Sequence, residues 1–196
     1  MKLRDKQKAE VKLALIRAGE ELFRTKGFSE TTIEEIAGKA GVARITFYNY
    51  FRTKEDLALE LLYETDELTP AQVDDFFEAT PGTVNQIQAI ITSAVEWTIK
   101  RPELFMIAII EKMKHGLTQE HPNGNLFRRM ITEAFERGQI AGVITRERCP
   151  QDLAHDIDGL YMVHMVRWYY NGKQNDLLST LLSAVNTYLS GALIKQ

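Results

Sequence analysis

Apolar residues recur at every third or fourth position along most of the chain, which is the spacing of one face of an α-helix. A first helix is predicted from residue 8 to residue 26, and Gly27 is expected to end it. Later helices are predicted over residues 83–100, 103–115, 125–137, 151–170 and 175–193. Gly138 is expected to end the helix before it, and the segment 116–124 to form an interruption. Residues 68–82 are expected to form a loop with one short helix, and no stretch has the alternation of a strand.

Between residues 31 and 57 the helical pattern breaks into shorter pieces. Thr31 or Thr32 can cap a short helix, because a hydroxyl at this position accepts a hydrogen bond from the first turn. Gly41 supplies a sharp turn, and a second short helix is predicted over residues 43–50. The spacing therefore predicts two short helices that meet at an angle.

A further helix begins near Lys54 after the capping residue Thr53, and it is expected to run to about residue 67. The first helix and the two short helices would form a three-helix head. Its predicted core includes Phe23, Phe28, Ile36, Phe47 and Phe51. The opposite face of the second short helix carries Arg44, Thr46, Tyr48 and Tyr50. A helix-turn-helix that holds basic and hydroxyl-bearing side chains outward has the parts needed to enter a DNA major groove.

This stretch resembles the DNA-binding signature of the tetracycline-repressor (TetR) family of transcriptional regulators. The resemblance is carried by Ile16, Ala18, Leu22, Phe23, Gly27, Phe28, Thr31, Thr32, Glu35, Ile36, Ala37, Ala40, Gly41, Val42, Thr46, Phe47, Tyr48, Tyr50, Phe51, Lys54 and Leu57. Two positions depart from the signature. The family often has Ser or Thr where this chain has Ala43, and Gly where it has Ile45. The missing hydroxyl weakens the cap of the second short helix by about 1 kcal/mol. The branched side chain of Ile45 is expected to alter the base preference.

The resemblance implies which side chains face DNA. They are Thr32, Arg44, Ile45, Thr46, Tyr48, Asn49, Tyr50 and Lys54. The planar fork of Arg44 can pair with O6 and N7 of guanine, and a phosphate contact is its equally weighted alternative. Thr32 and Lys54 stand at helix N-termini and are expected to clamp phosphates. The remaining hydroxyl-bearing side chains are expected to divide between thymine methyl groups and phosphates.

The composition fits a packed helical protein. A chain of 196 residues that is 44% apolar can form one large or two small domains. No run approaches the roughly 20 apolar residues of a membrane span, and the charged N-terminus lacks the apolar stretch of a secretory signal. The single cysteine, Cys149, cannot form an internal disulfide and fits a reducing compartment. The predicted location is therefore the cytoplasm.

The net charge of −3 does not favour DNA binding, but the charge is unevenly distributed along the chain. Residues 1–55 hold 12 Lys and Arg against 8 Asp and Glu, a balance of +4, and residues 56–196 hold 12 against 19, a balance of −7. Phosphates respond to charge within about a Debye length, near 8 Å. The head's charge therefore counts most. Its N-terminal arm, which is either a solvated terminus or a DNA contact, contains Lys2, Arg4, Lys6 and Lys8.

Large aromatic and methionine side chains are spread over the remainder of the chain. They are Trp97, Phe105, Met106, Met113, Phe127, Met130, Met162, His164, Met165 and Trp168. Such residues at helical spacing are usually ordinary core. The resemblance implies an effector pocket inside the body, and these pliable side chains suit a small apolar or aromatic effector. His164 would be either a polar anchor in that pocket or a satisfied core histidine.

No motif predicts catalysis or cofactor binding. His155 and Asp158 share a helix face, but further metal ligands cannot be placed beside them. A glycine-rich phosphate loop and a nucleophile elbow are both missing. Glu34 and Glu35 are interpreted as the exposed side of a helical turn. The chain is therefore predicted not to be an enzyme and to need no cofactor or metal.

The last two predicted helices carry more apolar residues than one buried stripe requires. In the final helix these are Leu177, Leu178, Leu181, Leu182, Val185, Tyr188 and Leu189. An intramolecular core explains some of them, and the resemblance implies a homodimer formed through these two helices. Twofold pairing would also match a palindromic DNA site.

Together these patterns predict an all-α protein with two domains. Residues 1–53 would form an N-terminal three-helix helix-turn-helix DNA-binding head, and residues 54–196 a C-terminal helical bundle for ligand binding and dimerisation. The predicted function is that of a ligand-responsive transcriptional repressor which binds a palindromic operator in double-stranded DNA. The alternative is a helical ligand-binding or protein-interaction module whose head no longer reads DNA, which Ala43 and Ile45 would favour.

Overall fold

The computed structural model describes residues 3–63, 68–114 and 126–194. Within these residues the regular elements are helices, apart from an isolated bridge between Ile144 and Leu193. The ten helices of the described residues are α1 Leu3–Lys26, α2 Ile33–Lys39, α3 Arg44–Tyr48, α4 Lys54–Tyr63, α5 Pro70–Ala79, α6 Thr83–Ile99, α7 Pro102–Lys114, α8 Leu126–Ile140, α9 Pro150–Tyr170 and α10 Leu177–Ala192. This architecture confirms the predicted all-α fold with a helix-turn-helix at its N-terminal end. No described helix is both long and apolar enough to cross a bilayer.

Some helix boundaries differ from the prediction. Helix α1 already begins at Leu3, and α3 spans only five residues. The short helix expected between residues 68 and 82 is α5, which a capping box starts: Thr69 and Gln72 exchange hydrogen bonds between side chain and backbone. The predicted extension of α4 beyond Tyr63 and the interruption at residues 116–124 lie outside the described residues.

The prediction that Gly138 ends a helix is wrong. Helix α8 continues to Ile140, and the turn follows at Gly142, whose φ of 72° favours glycine. Gly138 instead allows close packing, since a Cβ built on it would lie 2.7 Å from both Thr83 Oγ1 and Ile144 Cγ1. The residue is thus a packing glycine inside α8. In the sequence alone, such a glycine looks the same as one that ends a helix.

The chain forms two compact units. The first, called the head unit here, contains α1 to α4 and α7; the second, called the body unit, contains α5, α6 and α8 to α10. The core of the head unit consists of Leu15, Ile16, Ala18, Ile36, Ala37, Phe47, Phe51, Leu57, Ala58, Leu61 and Leu104. Phe23 and Phe28 pack against this core with ring centres 4.9 Å apart. The head unit thus contains α4 and α7 in addition to α1, α2 and α3.

The body unit packs α6, α8, α9 and α10 against one another. Each contributes fully or almost fully buried apolar side chains at helical spacing, including Ile87, Ile91, Ile131, Phe135, Leu153, Ile157, Leu181 and Val185. Backbone hydrogen bonds from Thr145 N to Ala192 O and from Ile194 N to Val143 O fasten the end of α10 to the connection between α8 and α9. This unit contains most of the residues that the sequence offered as pocket or dimer candidates.

Candidate nucleic-acid interface

The turn between α2 and α3 has the geometry of a helix-turn-helix. Gly41 adopts a φ of 71°, and Val42 N donates to Ala37 O at 2.9 Å, which closes the C-terminal end of α2. The start of α2 is fixed by a capping box in which Thr32 and Glu35 exchange hydrogen bonds. Of the two capping candidates, Thr32 is therefore the cap.

Thr31 has a structural role instead. It is buried, and its Oγ1 donates to Gly27 O at 2.7 Å. This bond joins the end of α1 to the start of the helix-turn-helix. Thr31 thus stabilises the end of α1, whereas Thr32 caps α2. The sequence alone does not show which of the two adjacent threonines has which role.

Helix α3 has one buried side and one exposed side. Phe47 is completely buried and Phe51 nearly so, with their ring centres 5.6 Å apart. The N-cap residue Ala43 makes no side-chain hydrogen bond, as expected from its missing hydroxyl. Because this short helix is weakly capped, its packing through Phe47 holds it in place.

The exposed side of α3 contains most of the predicted DNA-facing residues. Arg44, Tyr48 and Asn49 are exposed, Thr46 is half-buried, and Ile45 is 71% exposed. A branched apolar side chain this exposed gains nothing from folding and is available to a partner. These side chains form one small surface of mixed basic, apolar and amide character, called the α3 surface below.

Arg44 is held by two neighbours. Its Nε forms an ion pair with Glu34 Oε1 at 3.0 Å, and its Nη2 donates a hydrogen bond to Tyr48 Oη at 3.1 Å. The guanidinium carbon also lies 5.6 Å from the centre of the Tyr48 ring. The contact with Tyr48 first, and then the charge of Glu34, raise the pKa of Arg44 above its ordinary value. Sequence analysis missed Glu34, because the spacing of ten residues between the partners is not a helical one.

Two other predicted DNA-facing residues are engaged inside the head unit. Lys54 Nζ donates to the carbonyl oxygens of Phe28, Ser29 and Thr31, and it lies 4.5 Å from the centre of the Phe28 ring. An ammonium group has three N–H donors, so these carbonyls can use all of them. Tyr50 is half-buried against the core.

The exposed cap of α2 carries a low-pKa carboxylate. Lys26 Nζ donates to Glu35 Oε1 at 2.6 Å, and Thr32 N donates to Glu35 Oε2 at 2.9 Å. The hydrogen bond from Lys26, and then the one from the Thr32 backbone, lower the pKa of Glu35 to about 2. Thr32 stands at the exposed edge of the helix-turn-helix, but its own backbone N–H already has this acceptor.

The predicted pocket residues fall in both units and differ in burial. Met106, Met130 and Met165 are buried; half-buried residues are Trp97, Phe105, Phe127, Met162, His164 and Trp168. Phe105, Met106 and Met113 belong to α7 in the head unit. Met113 is 61% exposed, which does not fit an enclosed pocket. His164 Nδ1 lies 2.8 Å from Leu160 O, so the backbone of its own helix already serves that nitrogen.

A buried polar contact crosses the body unit close to one of these residues, Phe127. Tyr161 Oη donates to Ala94 O at 3.0 Å and forms a short hydrogen bond with Thr98 Oγ1. Its ring centre is 5.0 Å from that of Phe127. Burial raises the pKa of Tyr161 well above its usual range, so this hydroxyl stays neutral. Sequence analysis did not single out Tyr161, because its partners lie on another helix.

The predicted dimer residues separate into two sets. Leu177, Leu181, Val185 and Leu189 are buried within the protomer and belong to its own core. Their burial favours the intramolecular interpretation for these four. The other three are half-buried and are Leu178, Leu182 and Tyr188.

Tyr188 is tied to its own protomer by its hydroxyl. Its Oη donates to Asp156 Oδ2 at 2.7 Å, and Arg148 Nη1 donates to Tyr188 Oη at 3.2 Å. Burial raises the pKa of Tyr188, whereas the hydrogen bond from Arg148 lowers the pKa of Asp156. Leu178 and Leu182 lie on an open surface along α10, beside Ser179, Ser183 and Asn186.

His155 and Asp158 do not form a metal site. Both contact Arg128, whose Nη2 donates to Asp158 Oδ2 at 2.9 Å and whose Nη1 lies 3.2 Å from His155 Nε2. Among the described residues, no group of three His, Cys, Asp or Glu side chains is arranged to hold a metal ion. An arginine in that position disfavours a cation.

Known proteins resemble this chain first in the head. Residues 15–61 match the model of the bacterial regulatory proteins of the tetR family. This match spans the helix-turn-helix and the helices on either side of it. It includes Ala43 and Ile45, so the departures at these positions do not remove the chain from the pattern.

Similarity to curated relatives extends over nearly the whole chain. The fatty acid metabolism regulator protein of Bacillus subtilis is 22% identical over 193 residues, which cover 95% of this chain and 97% of that protein. The HTH-type transcriptional regulator TtgR of Pseudomonas putida is 26% identical over 208 residues, covering 95% and 93%. Head and body are therefore joined in the same order in these regulators.

The fold is similar to that in the crystal structure of Thermus thermophilus FadR, a TetR-family transcriptional repressor in complex with lauroyl-CoA. The TM-score is 0.76 at 24% sequence identity, and the match covers 94% of this chain and 96% of that one. At this identity the likeness is evidence for the fold alone. Residues 15–61 thus have the DNA-binding pattern of the tetR family, and the full-length similarity to regulators supports a DNA-binding transcriptional regulator of the TetR type.

Proposed function

We propose that the chain represses transcription by binding a palindromic operator as a homodimer, and that a small effector bound in the body unit releases the DNA. The main support for the proposal is the α3 surface, which combines a basic, an apolar and an amide side chain on a helix whose opposite side is packed into the core. Two such helices would enter successive major grooves when they are about 34–36 Å apart. An effector that prefers a different spacing would release DNA by shifting the population of the two arrangements.

The side chains of the α3 surface divide by chemistry. Arg44 would read guanine through two parallel N–H groups, Asn49 suits adenine, and Ile45 suits a thymine methyl group. Tyr48 and the half-buried Thr46 would contact phosphates or sugar edges, and Thr32 would approach a phosphate from α2. The contacts of Lys54 and Tyr50 inside the head unit support structural roles, in which they hold the helix-turn-helix in shape.

The proposed dimer contact uses the outward faces of α9 and α10. Val163 and Tyr170 are exposed on α9, and Leu178 and Leu182 lie on the open surface of α10. An exposed apolar set on two long helices supports a helical contact with a second copy. Four predicted residues in the protomer core cannot take part, so the interface would be narrower and more polar than the sequence suggested.

The dimer is tested by Leu182→Asp. We expect this variant to sediment as a monomer at concentrations where the unmodified chain is a dimer, and to lose operator affinity in parallel. Ile140→Asp is the matched control, since Ile140 is 80% exposed in the same unit but lies on α8. Dimers of unchanged stability in Leu182→Asp would remove α10 from the proposed interface.

For the effector we propose a long-chain acyl thioester or a related apolar molecule. The regulator of Bacillus subtilis is named for fatty acid metabolism, and the FadR structure holds lauroyl-CoA. The half-buried aromatic and methionine side chains of the body unit are compatible with an acyl chain. These relatives, and not a cavity of this chain, support the effector class.

The first experiment is a selection of DNA fragments by the purified full-length chain. Enrichment of one palindrome is expected, and a fluorescently labelled duplex of that sequence then serves as the operator probe. Lauroyl-CoA should release the probe, whereas free CoA should not, because the acyl chain provides the buried area. Selection without any enriched sequence would reject the regulator model; release by free CoA or by none of the ligands would reject only the acyl effector.

A further inference from the structure

We propose that Glu34 is a positioning residue for operator recognition, which holds the guanidinium of Arg44 so that its outer edge can read a base. The inference rests on the proposed function, because it concerns how Arg44 selects a base. It assigns a role to an acidic side chain that, on sequence alone, belongs to the solvated side of α2.

The geometry singles out Arg44 among the described partners of Glu34. Glu34 Oε1 lies 3.0 Å from Arg44 Nε and forms an ion pair with it across the angle of the helix-turn-helix. On the same side of the guanidinium, Nη2 donates to Tyr48 Oη, and the Tyr48 ring lies 5.6 Å away. Arg44 is thereby held from α2 and from its own helix, even though both members of the ion pair are more than half exposed, at 60% and 56%.

The remaining donors of Arg44 have the arrangement that a guanine needs. A guanidinium has five N–H groups; the hydrogen bond to Tyr48 uses one of those on Nη2, and the carboxylate of Glu34 lies beside Nε. Both N–H groups of Nη1 and the second one of Nη2 are left over. A parallel pair drawn from Nη1 and Nη2 matches the O6 and N7 acceptors of guanine in the major groove.

Glu34 also acts on DNA that lacks the operator. Its carboxylate is close to the surface that would face phosphates, so it repels any duplex by about the same amount. Only at the operator is this repulsion offset by a better-ordered Arg44, because a side chain that is already held loses less freedom on binding. The expected result is greater selectivity rather than greater affinity.

An exposed ion pair can also contribute nothing, and the test has to separate the two cases. Glu34→Gln removes the charge and leaves the cap of α2 intact, because the capping residues are Thr32 and Glu35. Glu30→Gln is the matched control: it makes the same charge change at another exposed carboxylate of the head. Each variant is also made in an Arg44→Ala background, and thermal unfolding checks that all proteins are folded.

The measurement is the ratio of affinities for the selected operator and for a duplex in which the guanine assigned to Arg44 is replaced. Glu34→Gln should lower this ratio about two- to fivefold, the range of exposed charged pairs, while raising the affinity for unrelated DNA. Glu30→Gln should leave the ratio unchanged, and in the Arg44→Ala background Glu34→Gln should have no effect on it. A ratio that is unchanged or higher in Glu34→Gln, or that falls equally without Arg44, overturns the inference while operator selection by the unmodified chain still supports the regulator.

Discussion

Residue type distinguishes the buried from the exposed side of helix α3 in the head, but it does not do so for the leucines of helix α10 in the body. On α3 the buried residue is aromatic, and the exposed neighbours include Arg44 and Asn49. On α10 the leucine at position 177 is buried, whereas the leucine beside it at position 178 is half-exposed. Polarity therefore identifies the outer face of α3, but on α10 only the packing of neighbouring helices separates core from surface.

This difference suggests that the two helices should respond differently to substitution. On α3, loss of a buried side chain and loss of an exposed one should affect stability and DNA binding separately. On α10, leucines lie on both the buried and the half-buried side, and in the proposed dimer both sets would affect association, so stability and assembly should change together. The head is accordingly the better place to test function residue by residue.

The largest effect is expected for Phe47→Ala, which removes the completely buried aromatic side chain behind α3. We expect the free energy of unfolding to fall by about 3–5 kcal/mol, with operator binding lost because α3 is no longer held. Urea denaturation followed by circular dichroism, at one fixed protein concentration, measures the change.

The control on the opposite face is Ile45→Ala, since Ile45 is 71% exposed. Its free energy of unfolding should stay within about 0.5 kcal/mol of the unmodified chain, while its base preference changes. Equal destabilisation by both substitutions would mean that the two faces of α3 are not distinct.

Arg44→Ala should give the next largest effect, on binding and not on stability. Loss of a bidentate base contact is expected to weaken operator binding roughly ten- to hundredfold. Fluorescence anisotropy at several salt concentrations measures this change.

Arg52→Ala is the matched control, because Arg52 is a highly exposed arginine of the same head that pairs with Asp56. If Arg44 is a phosphate contact instead, its removal will weaken operator and unrelated DNA alike and will reduce the salt dependence by about one unit. Sequence analysis left these two roles open, and this comparison decides between them.

How much could be predicted from the sequence follows from the same contrast. The helix-turn-helix is built from contacts between residues close in the chain, so spacing and turn chemistry predicted its helices, its glycine turn and its buried Phe47. The roles of Lys54, Thr31 and Glu34 depend on where α1 ends and on the angle between α2 and α3. No periodicity encodes those distances.

In the body, the limits were set by packing across distant helices. Gly138 was predicted to end a helix, but the close approach of Thr83 and Ile144 makes it a packing residue inside α8. The leucines of α10 could not be divided into core and surface, because that division depends on α9 and α6. The pocket candidates show the same limit. Met165 is completely buried and Met113 is largely exposed, although both are methionines, so residue type did not predict burial.

Lys54→Met is expected to have a smaller effect, and it distinguishes a structural role of Lys54 in the head from a phosphate contact. If the ammonium mainly holds the carbonyl groups of Phe28, Ser29 and Thr31, its loss should lower the free energy of unfolding by about 1 kcal/mol. The salt dependence of operator binding should then be unchanged. A reduced salt dependence without loss of stability would restore the phosphate clamp that the sequence predicts.

The smallest expected effect concerns the pH dependence of the capping box of α2. Glu35 has a pKa lowered from 4.5 to about 2 in the folded chain, first by its hydrogen bond from Lys26. A carboxylate whose pKa is lower in the folded state stabilises the fold above its unfolded pKa, and this contribution is lost as the pH falls from 4.5 towards 2. Because the group is exposed, solvent screening keeps the contribution small.

Glu35→Gln isolates this contribution, since glutamine can keep the hydrogen bond to Thr32 N but has no charge to titrate. Its melting temperature should be slightly lower than that of the unmodified chain near pH 7, and the two should converge as the pH falls from 4.5 towards 2. Glu30→Gln, at an exposed carboxylate of the same head, should not show this convergence. A difference for Glu35→Gln that persists at low pH would mean that the hydrogen bonds of the carboxylate, and not its ionisation, stabilise the start of α2.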